Sequence, residues 1–124
     1  VGYDYESLAA AGTMLGSGAL IVIDNKANIV ETTLRLISFY MHESCGKCTP
    51  CREGTRWLHQ IVERILQHKG QLEYINKIED ICDNMAFKTF CPLADACVAP
   101  VMSSIKHFRS EYEEYFKNTP VGSV

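Results

Sequence analysis

The sequence has little that points to nucleic acid, a membrane or secretion. Its 12 lysines and arginines are outnumbered by 15 acidic residues, and no basic block exists that could follow a phosphate backbone. The longest apolar stretch, residues 15–23, is interrupted by two glycines and has about half the length of a membrane span. No basic segment leading into an apolar core marks a signal peptide. We therefore expect no nucleic-acid partner and no membrane span.

Familiar catalytic patterns are missing as well. No nucleophile–base pair, phosphate-binding loop or paired carboxylate site is visible in the sequence. The glycines within residues 12–18 precede a strand-like segment instead of following one, unlike a dinucleotide-binding fingerprint. The chain begins with Val1 and not with methionine, and its first residues do not look like the start of a domain. We therefore expect a processed chain or a piece of a longer protein.

What the sequence does contain is cysteine. Six cysteines in a short chain can indicate a secreted disulfide scaffold. Here, however, long helical periods and an apolar core make cross-links unnecessary. Three of the cysteines also lie in one short loop, where each could hardly find a different partner. Metal-binding thiolates in a reducing compartment explain this pattern better.

Three of the cysteines form a C-x2-C-x2-C run within residues 43–54 (ESCGKCTPCREG), at Cys45, Cys48 and Cys51. Two-residue spacing lets one loop wrap three corners of a cubane, and the same run occurs in 4Fe–4S proteins, with the fourth ligand supplied from elsewhere. Structural zinc is an alternative, but it usually shows two separated pairs and would leave the middle cysteine unused. Disulfides are the remaining alternative.

The fourth ligand is expected to be Cys91, which is followed by proline like the last cysteine of the ferredoxin run. Cys82 is its rival for this role. Both Cys82 and Cys97 fall in register with apolar helical stripes, so we expect each to be a small buried residue. The predicted ligands are therefore the three cysteines of the run and Cys91.

Residues beside the run suit a negatively charged cluster. Thr49 is predicted to cap and Pro50 to open a helix, which puts the third cysteine in its first turn, where the helix dipole favours negative charge. Gly46 lets backbone amides approach the sulfurs closely. Lys47 and Arg52 add positive charge nearby, and ordinary solvated surface charge is an equally good interpretation of both.

The apolar pattern predicts a mainly α fold, a four-helix cluster-binding bundle preceded by a short β remnant. Residues 20–24 (LIVID) have the β-branched composition of a short buried strand, which must belong to a sheet contributed by sequence or subunits missing here. From about residue 28 onward, apolar residues recur with helical spacing in four stretches, and Trp57 belongs to the apolar stripe of the second. We assign 1–25 to the end of a preceding region, 26–117 to the helical domain and 118–124 to a flexible tail.

The motif HESCGKCTPCREG, preceded by SLAAAGTMLGSGALIVID and followed by FCPLADACVAP and IKHF, resembles the flavin- and NADH-binding subunit of respiratory complex I. The resemblance extends over nearly the whole chain. It implies that Cys45, Cys48, Cys51 and Cys91 hold one 4Fe–4S cluster, and that residues 1–25 end a ubiquitin-like (SLBB-type) region. Ala94 replaces the commoner glycine, a departure that we do not expect to disturb the cluster.

The resemblance also implies a function. NADH would reduce FMN in a domain absent from this sequence, and the cluster would relay single electrons from FMN to the next iron–sulfur cluster, toward quinone. Pro92 and Leu93 are expected close to the cluster and near the flavin. The implied partners are other peripheral-arm subunits, including iron–sulfur subunits. The implied location is the cytoplasmic face of the inner membrane, or the matrix side in mitochondria.

Two alternatives remain open from the sequence. The same module occurs in NAD-linked hydrogenases and formate dehydrogenases, which differ in their partners. A metal-stabilised interaction domain that senses redox state through a labile cluster belongs to another functional class.

Overall fold

The computed structural model describes residues 1–117, which contain five helices and no strand. A short helix, α1 (Tyr5–Ala10), precedes four longer ones: α2 (Ile29–Glu43), α3 (Thr49–Leu66), α4 (Glu73–Met85) and α5 (Leu93–Glu114). The predicted mainly α fold with four amphipathic helices is confirmed. The predicted tail, 118–124, lies outside the described residues. Over the described range, no helix has the length and apolarity that crossing a membrane requires.

The four long helices form a bundle with α3 and α5 at its centre. Helices α2 and α4 each pack against both α3 and α5, which also contact each other. The buried core draws aliphatic and aromatic side chains from all four helices: Val30, Ile37, Leu58, Val62, Ile65, Ile75, Ile78, Met85, Val101, Ile105 and Tyr112. Since burying one such side chain is worth roughly 1.5–3 kcal/mol, this core is the main source of stability.

The direction of α2 is fixed at its first turn. The Asn28 side chain accepts a hydrogen bond from the Glu31 amide at 3.0 Å, which caps the helix. The Ile29 amide donates to Glu111 Oε2, near the far end of α5, at 3.0 Å. The start of α2 therefore lies beside the end of α5. Because the two helices run antiparallel, the end of α2 meets the beginning of α5 at the other end of the bundle.

Helices α3 and α4 approach each other closely at Gly54. A Cβ atom added to this glycine would lie 2.4 Å from Met85 Sδ, so any larger residue would collide. Gly54 lies one helical turn after Cys51. The buried end of α4 therefore packs beneath the first turn of α3, and the segment that follows α4 begins close to the cysteine run.

Residues 20–24 form no strand within the described chain, and their pairing with a sheet from outside this sequence stays a prediction. Leu20, Ile21 and Val22 are 76%, 72% and 85% exposed. A strand needs a neighbouring strand to complete its hydrogen bonds, and residues 1–117 provide none. Helix α1, which the sequence did not predict, packs against none of the four long helices.

Two details of α3 also differ from prediction. Cys48 holds the cap position, and no side chain caps the helix, because Thr49 and Pro50 are already its first two residues. Proline is well suited to the first turn, where its missing N–H is not needed. Trp57 is 52% exposed and not part of the core, because it lies about 100° around the helix from the buried Leu58.

Candidate metal centre

One end of the bundle gathers four cysteines around a single cavity. The end of α2 and the beginnings of α3 and α5 meet there, and the cysteine loop, residues 44–48, joins α2 to α3. The cavity has a volume of about 110 Å³. Its lining includes the four predicted ligands: Cys45, Cys48, Cys51 and Cys91. The fold thus brings Cys91, which precedes α5, close to the three cysteines of the C-x2-C-x2-C run.

The cysteine loop is held by Arg52. Its Nη1 donates to the Gly46 carbonyl oxygen at 2.7 Å, and its Nη2 donates to Thr49 Oγ1 at 3.4 Å. Gly46 has φ = +77°, a left-handed conformation that disfavours residues with a Cβ. The arginine and the glycine together turn the loop so that it passes from α2 into α3 within five residues.

Ser44, the first residue of the cysteine loop, contacts the first turn of α3. Its Oγ is 3.2 Å from Cys51 Sγ and accepts a hydrogen bond from the Gly46 amide at 3.3 Å. The Ser44 amide donates to the Tyr40 carbonyl at 3.0 Å, which closes the last turn of α2. The hydroxyl is therefore held against a sulfur of the cysteine run.

The segment that delivers Cys91 is held by local hydrogen bonds. Thr89 Oγ1 donates to the Cys91 carbonyl at 2.9 Å, and Asp95 in the first turn of α5 accepts from the Phe87 amide at 2.7 Å. Pro92 holds the cap position of α5. These contacts attach the segment to the beginning of α5, directly beside the cavity.

The electrostatic surroundings favour a negatively charged group. Two helices, α3 and α5, begin at the cavity, and their free amides and dipoles attract negative charge. No acidic residue lies in the first turn of α3, whereas Asp95 lies in that of α5 and Glu43 lines the cavity. Lys47 lines the cavity, and its Nζ lies 5.8 Å from the Phe90 ring centroid. Arg52 contributes less charge, because it is paired with Glu53 at 2.9 Å.

The two remaining cysteines lie inside the bundle. Cys82 and Cys97 are each 0% exposed, as the sequence predicted, and neither lines the cavity. Burial raises the pKa of each thiol to about 12, with a smaller contribution from neighbouring groups. None of the six cysteines is in a disulfide.

The donor set fits an iron–sulfur cluster. Soft thiolates are the ligands of such clusters and of zinc, and a cluster takes four of them. The cavity is several times larger than one water-sized sphere. Within residues 1–117, no three His, Cys, Asp or Glu side chains are gathered tightly enough to hold one metal ion. The four cysteines border one shared cavity.

The neighbouring residues predicted from the sequence fall into two groups. Lys47 and Leu93 line the cavity itself. The others lie beside it in the loop or at the helix starts: Gly46, Thr49, Pro50, Arg52 and Pro92. Sequence reasoning missed three residues of the lining, Glu43, Ser44 and Thr89. The sequence offered only one clue to these residues, their closeness to the predicted ligands. Glu43 and Ser44 directly precede Cys45, and Thr89 lies two residues before Cys91.

Comparison with known proteins decides the family. The family model described as the NADH-ubiquinone oxidoreductase-F iron-sulfur binding region matches residues 31–115, which include all four cysteines of the cavity. The chain belongs to this family. It is therefore a 4Fe–4S binding region of the oxidoreductase-F type, and the resemblance stated from the sequence is confirmed.

Individual relatives agree with this family. The F-type subunit of the NADH-quinone oxidoreductase of Streptomyces coelicolor is 51% identical over 90% of this chain and 25% of its own length. Its counterpart in Mycobacterium tuberculosis strain H37Rv is 54% identical over 88% of the chain and 24% of its own length. The chain thus spans about a quarter of the length of the curated relatives it matches.

A solved structure shares the fold. The crystal structure of an NAD+-reducing [NiFe]-hydrogenase in the H2-reduced state matches with a TM-score of 0.72 and 29% identity. The match covers 76% of this chain and 16% of the hydrogenase chain. The helical bundle is therefore found in a second kind of NAD-linked oxidoreductase.

Proposed function

We propose that this chain holds one 4Fe–4S cluster through Cys45, Cys48, Cys51 and Cys91 and relays single electrons within an NADH dehydrogenase. The observation that carries the proposal is the one cavity shared by these four cysteines, although Cys91 lies 40 positions after Cys51 in the chain. In the full-length protein, the chain receives electrons from FMN that NADH has reduced. It passes them toward quinone by way of a neighbouring iron–sulfur protein.

The residues of the chain perform four tasks in this function. A bound 4Fe–4S cluster supplies a one-electron couple. The thiolates fix its place, and Arg52 and Gly46 fix the loop that presents them. The first turns of α3 and α5, with Lys47, offset its negative charge. The bundle shields one side of the site through the buried Cys51 and the partly buried Leu93.

We further propose that the chain works in a multi-subunit assembly with other peripheral-arm subunits, including iron–sulfur subunits. Phe87 and Phe90 are 92% and 91% exposed. They line a groove of about 430 Å³ that also contains Lys47 and Cys48, next to the cavity. Exposed aromatic side chains beside a redox site support a protein partner at this end. The corresponding location is the cytoplasmic face of the inner membrane, or the matrix side in mitochondria.

Residues 1–25 are proposed to end a preceding ubiquitin-like region, and 26–117 to form the cluster-binding domain. Support comes from the lack of packing between α1 and the four long helices. The apolar, exposed residues 20–22 also suit a segment that is covered in a longer protein.

A second candidate is the same relay in an NAD-linked hydrogenase, favoured by the structural match to the NAD+-reducing [NiFe]-hydrogenase. Identities of 51–54% to quinone oxidoreductase subunits against 29% to the hydrogenase favour the respiratory assignment. Affinity purification of the protein from its native host separates the two. Copurifying quinone-reducing subunits would support the first candidate, and a nickel-containing hydrogenase subunit would support the second.

The relay is tested by an EPR-monitored redox titration of the full chain, purified without oxygen. We expect one reversible one-electron step, with a slope of about 59 mV per tenfold change in the ratio of reduced to oxidised protein. Iron content should be the same after several cycles of oxidation and reduction. The Cys97→Ser variant is the matched control, because it removes a cysteine that does not line the cavity.

A different outcome would support the redox sensor. In that case mild oxidation would release the iron, and the protein would change its binding to partners. Titration without any reversible one-electron signal would contradict the relay outright.

A further inference from the structure

The Ser44 hydroxyl forms a hydrogen bond with the sulfur of Cys51, one of the cysteines that line the cavity. Its Oγ lies 3.2 Å from Cys51 Sγ. The residue is held from both sides, since its amide donates to the Tyr40 carbonyl and its Oγ accepts from the Gly46 amide. Ser44 also lines the cavity.

The direction of the Ser44–Cys51 hydrogen bond follows from the chemistry of both partners. A cysteine that ligates iron is a thiolate and has no proton to donate. The Gly46 amide uses a lone pair of Ser44 Oγ and leaves its O–H free. The serine hydroxyl must therefore donate to the Cys51 sulfur in the cluster-bound protein.

We propose that Ser44 is a positioning residue that raises the reduction potential of the cluster by donating a hydrogen bond to the Cys51 thiolate. Reduction adds negative charge to the cluster and its sulfurs. A hydrogen bond donated to a sulfur stabilises that charge more in the reduced state than in the oxidised state. The proposal rests on the proposed function, because it takes Cys51 to be a ligand.

The decisive comparison is a pair of variants that differ only in the hydroxyl. Ser44→Thr keeps the donor, and Ser44→Val replaces it with a methyl group of similar size. Both fit the extended backbone of Ser44, at φ = −63° and ψ = 121°. Ser44→Ala is the simple truncation. Ser38→Ala is the control, because Ser38 lies in α2, the helix that precedes Ser44, but donates to the Leu34 carbonyl, away from the cavity.

The experiment is an EPR-monitored redox titration of each cluster-loaded full chain, together with its iron and sulfide content. We expect Ser44→Ala and Ser44→Val to shift the equilibrium about tenfold toward the oxidised cluster, a potential lower by about 59 mV. Ser44→Thr and Ser38→Ala should stay near the wild-type potential. Where a variant without the hydroxyl loses its cluster, retention by Ser44→Thr under the same conditions would support the proposal.

Two results would overturn it. Equal potentials in the Thr and Val variants, or equal loss of iron from both, would show that the hydroxyl has no such role while the cluster assignment stands. A wild-type chain without iron and sulfide would instead remove the proposed function and this proposal together. The two failures are therefore distinguishable.

Discussion

The chain uses cysteine in two different ways, at the end of the bundle and in its middle. Four cysteines line the end cavity, in the loops that enter α3 and α5 or in the first turn of α3. Two others, Cys82 and Cys97, lie within α4 and α5 with no exposed surface. The four lie where a thiolate can meet a cofactor, and the two lie where a thiol is packed as a small apolar side chain.

The difference teaches that backbone context, more than residue type, sets the chemistry of a cysteine. The helix starts and Lys47 at the cavity favour the negative charge of a bound cluster. Burial acts in the opposite direction. It raises the pKa of Cys82 and Cys97 to about 12 and so keeps both thiols protonated and inert.

The largest expected effect comes from removing a cavity cysteine. Cys91→Ser should lose nearly all iron and sulfide, because a serine hydroxyl is a poor substitute for the soft thiolate that a cluster needs. Cys82→Ser is the control and should keep its iron. The measurement is iron and acid-labile sulfide per chain, and equal loss from both variants would contradict the division of the cysteines into two groups.

The buried cysteines should respond in stability instead. Cys82→Ser and Cys97→Ser should each lower the free energy of unfolding by roughly 1–3 kcal/mol, since a hydroxyl replaces a thiol at a site without exposed surface. Denaturant unfolding followed by circular dichroism gives the values. Unchanged stability, or iron loss comparable with that of Cys91→Ser, would mean that these cysteines are not simply core residues.

Alkaline pH tests the raised pKa values of the buried thiols. An unfolded thiol loses its proton near pH 9, whereas these folded thiols keep theirs until about pH 12. The stability associated with each thiol is thus complete below pH 9 and decreases as pH rises toward 12. We expect a loss of about 1.4 kcal/mol per thiol at pH 10. The free energy of unfolding, measured between pH 7 and 10.5, should fall less steeply with pH in the double variant Cys82→Ala/Cys97→Ala than in the wild type. Equal slopes in the two proteins would contradict burial as the cause of the raised pKa values.

The smallest expected effect concerns the backbone of the cysteine loop. Gly46→Ala forces a Cβ into a left-handed conformation, which costs about 1 kcal/mol, and should speed iron loss to a chelator roughly fivefold. Gly18→Ala is the control, because Gly18 has φ = +80° in an exposed segment away from the cavity. Equal chelation rates for both variants would show that loop geometry does not limit cluster retention.

The sequence predicted the bundle well, because four long apolar stripes with helical spacing need no distant information. Ile37 and Val62, for example, are buried as their register requires. The strand at 20–24 stays a prediction, since composition indicates strand preference but the neighbouring strand that it needs lies outside the described residues. Trp57 was misplaced because a large apolar residue at the edge of a stripe can remain exposed.

The candidate site was predictable in part. Two-residue cysteine spacing is a local property, and the proline after Cys91 pointed to the distant fourth member, which the fold brings to the same cavity. The contact between Ser44 and Cys51 was not predictable, because it depends on how the loop turns at Gly46. The hydrogen bond that Arg52 donates to the Gly46 carbonyl depends on the same turn and was not predictable either. The backbone course of a loop cannot be predicted from the order of residue types alone.

The metal and sulfide content of the full wild-type chain, purified without oxygen, tests the central claim most directly. Four thiolates around one cavity predict about four iron atoms and four acid-labile sulfides per chain, with little zinc. A chain that contained one zinc ion, or cystine bridges among Cys45, Cys48, Cys51 and Cys91, would contradict the account.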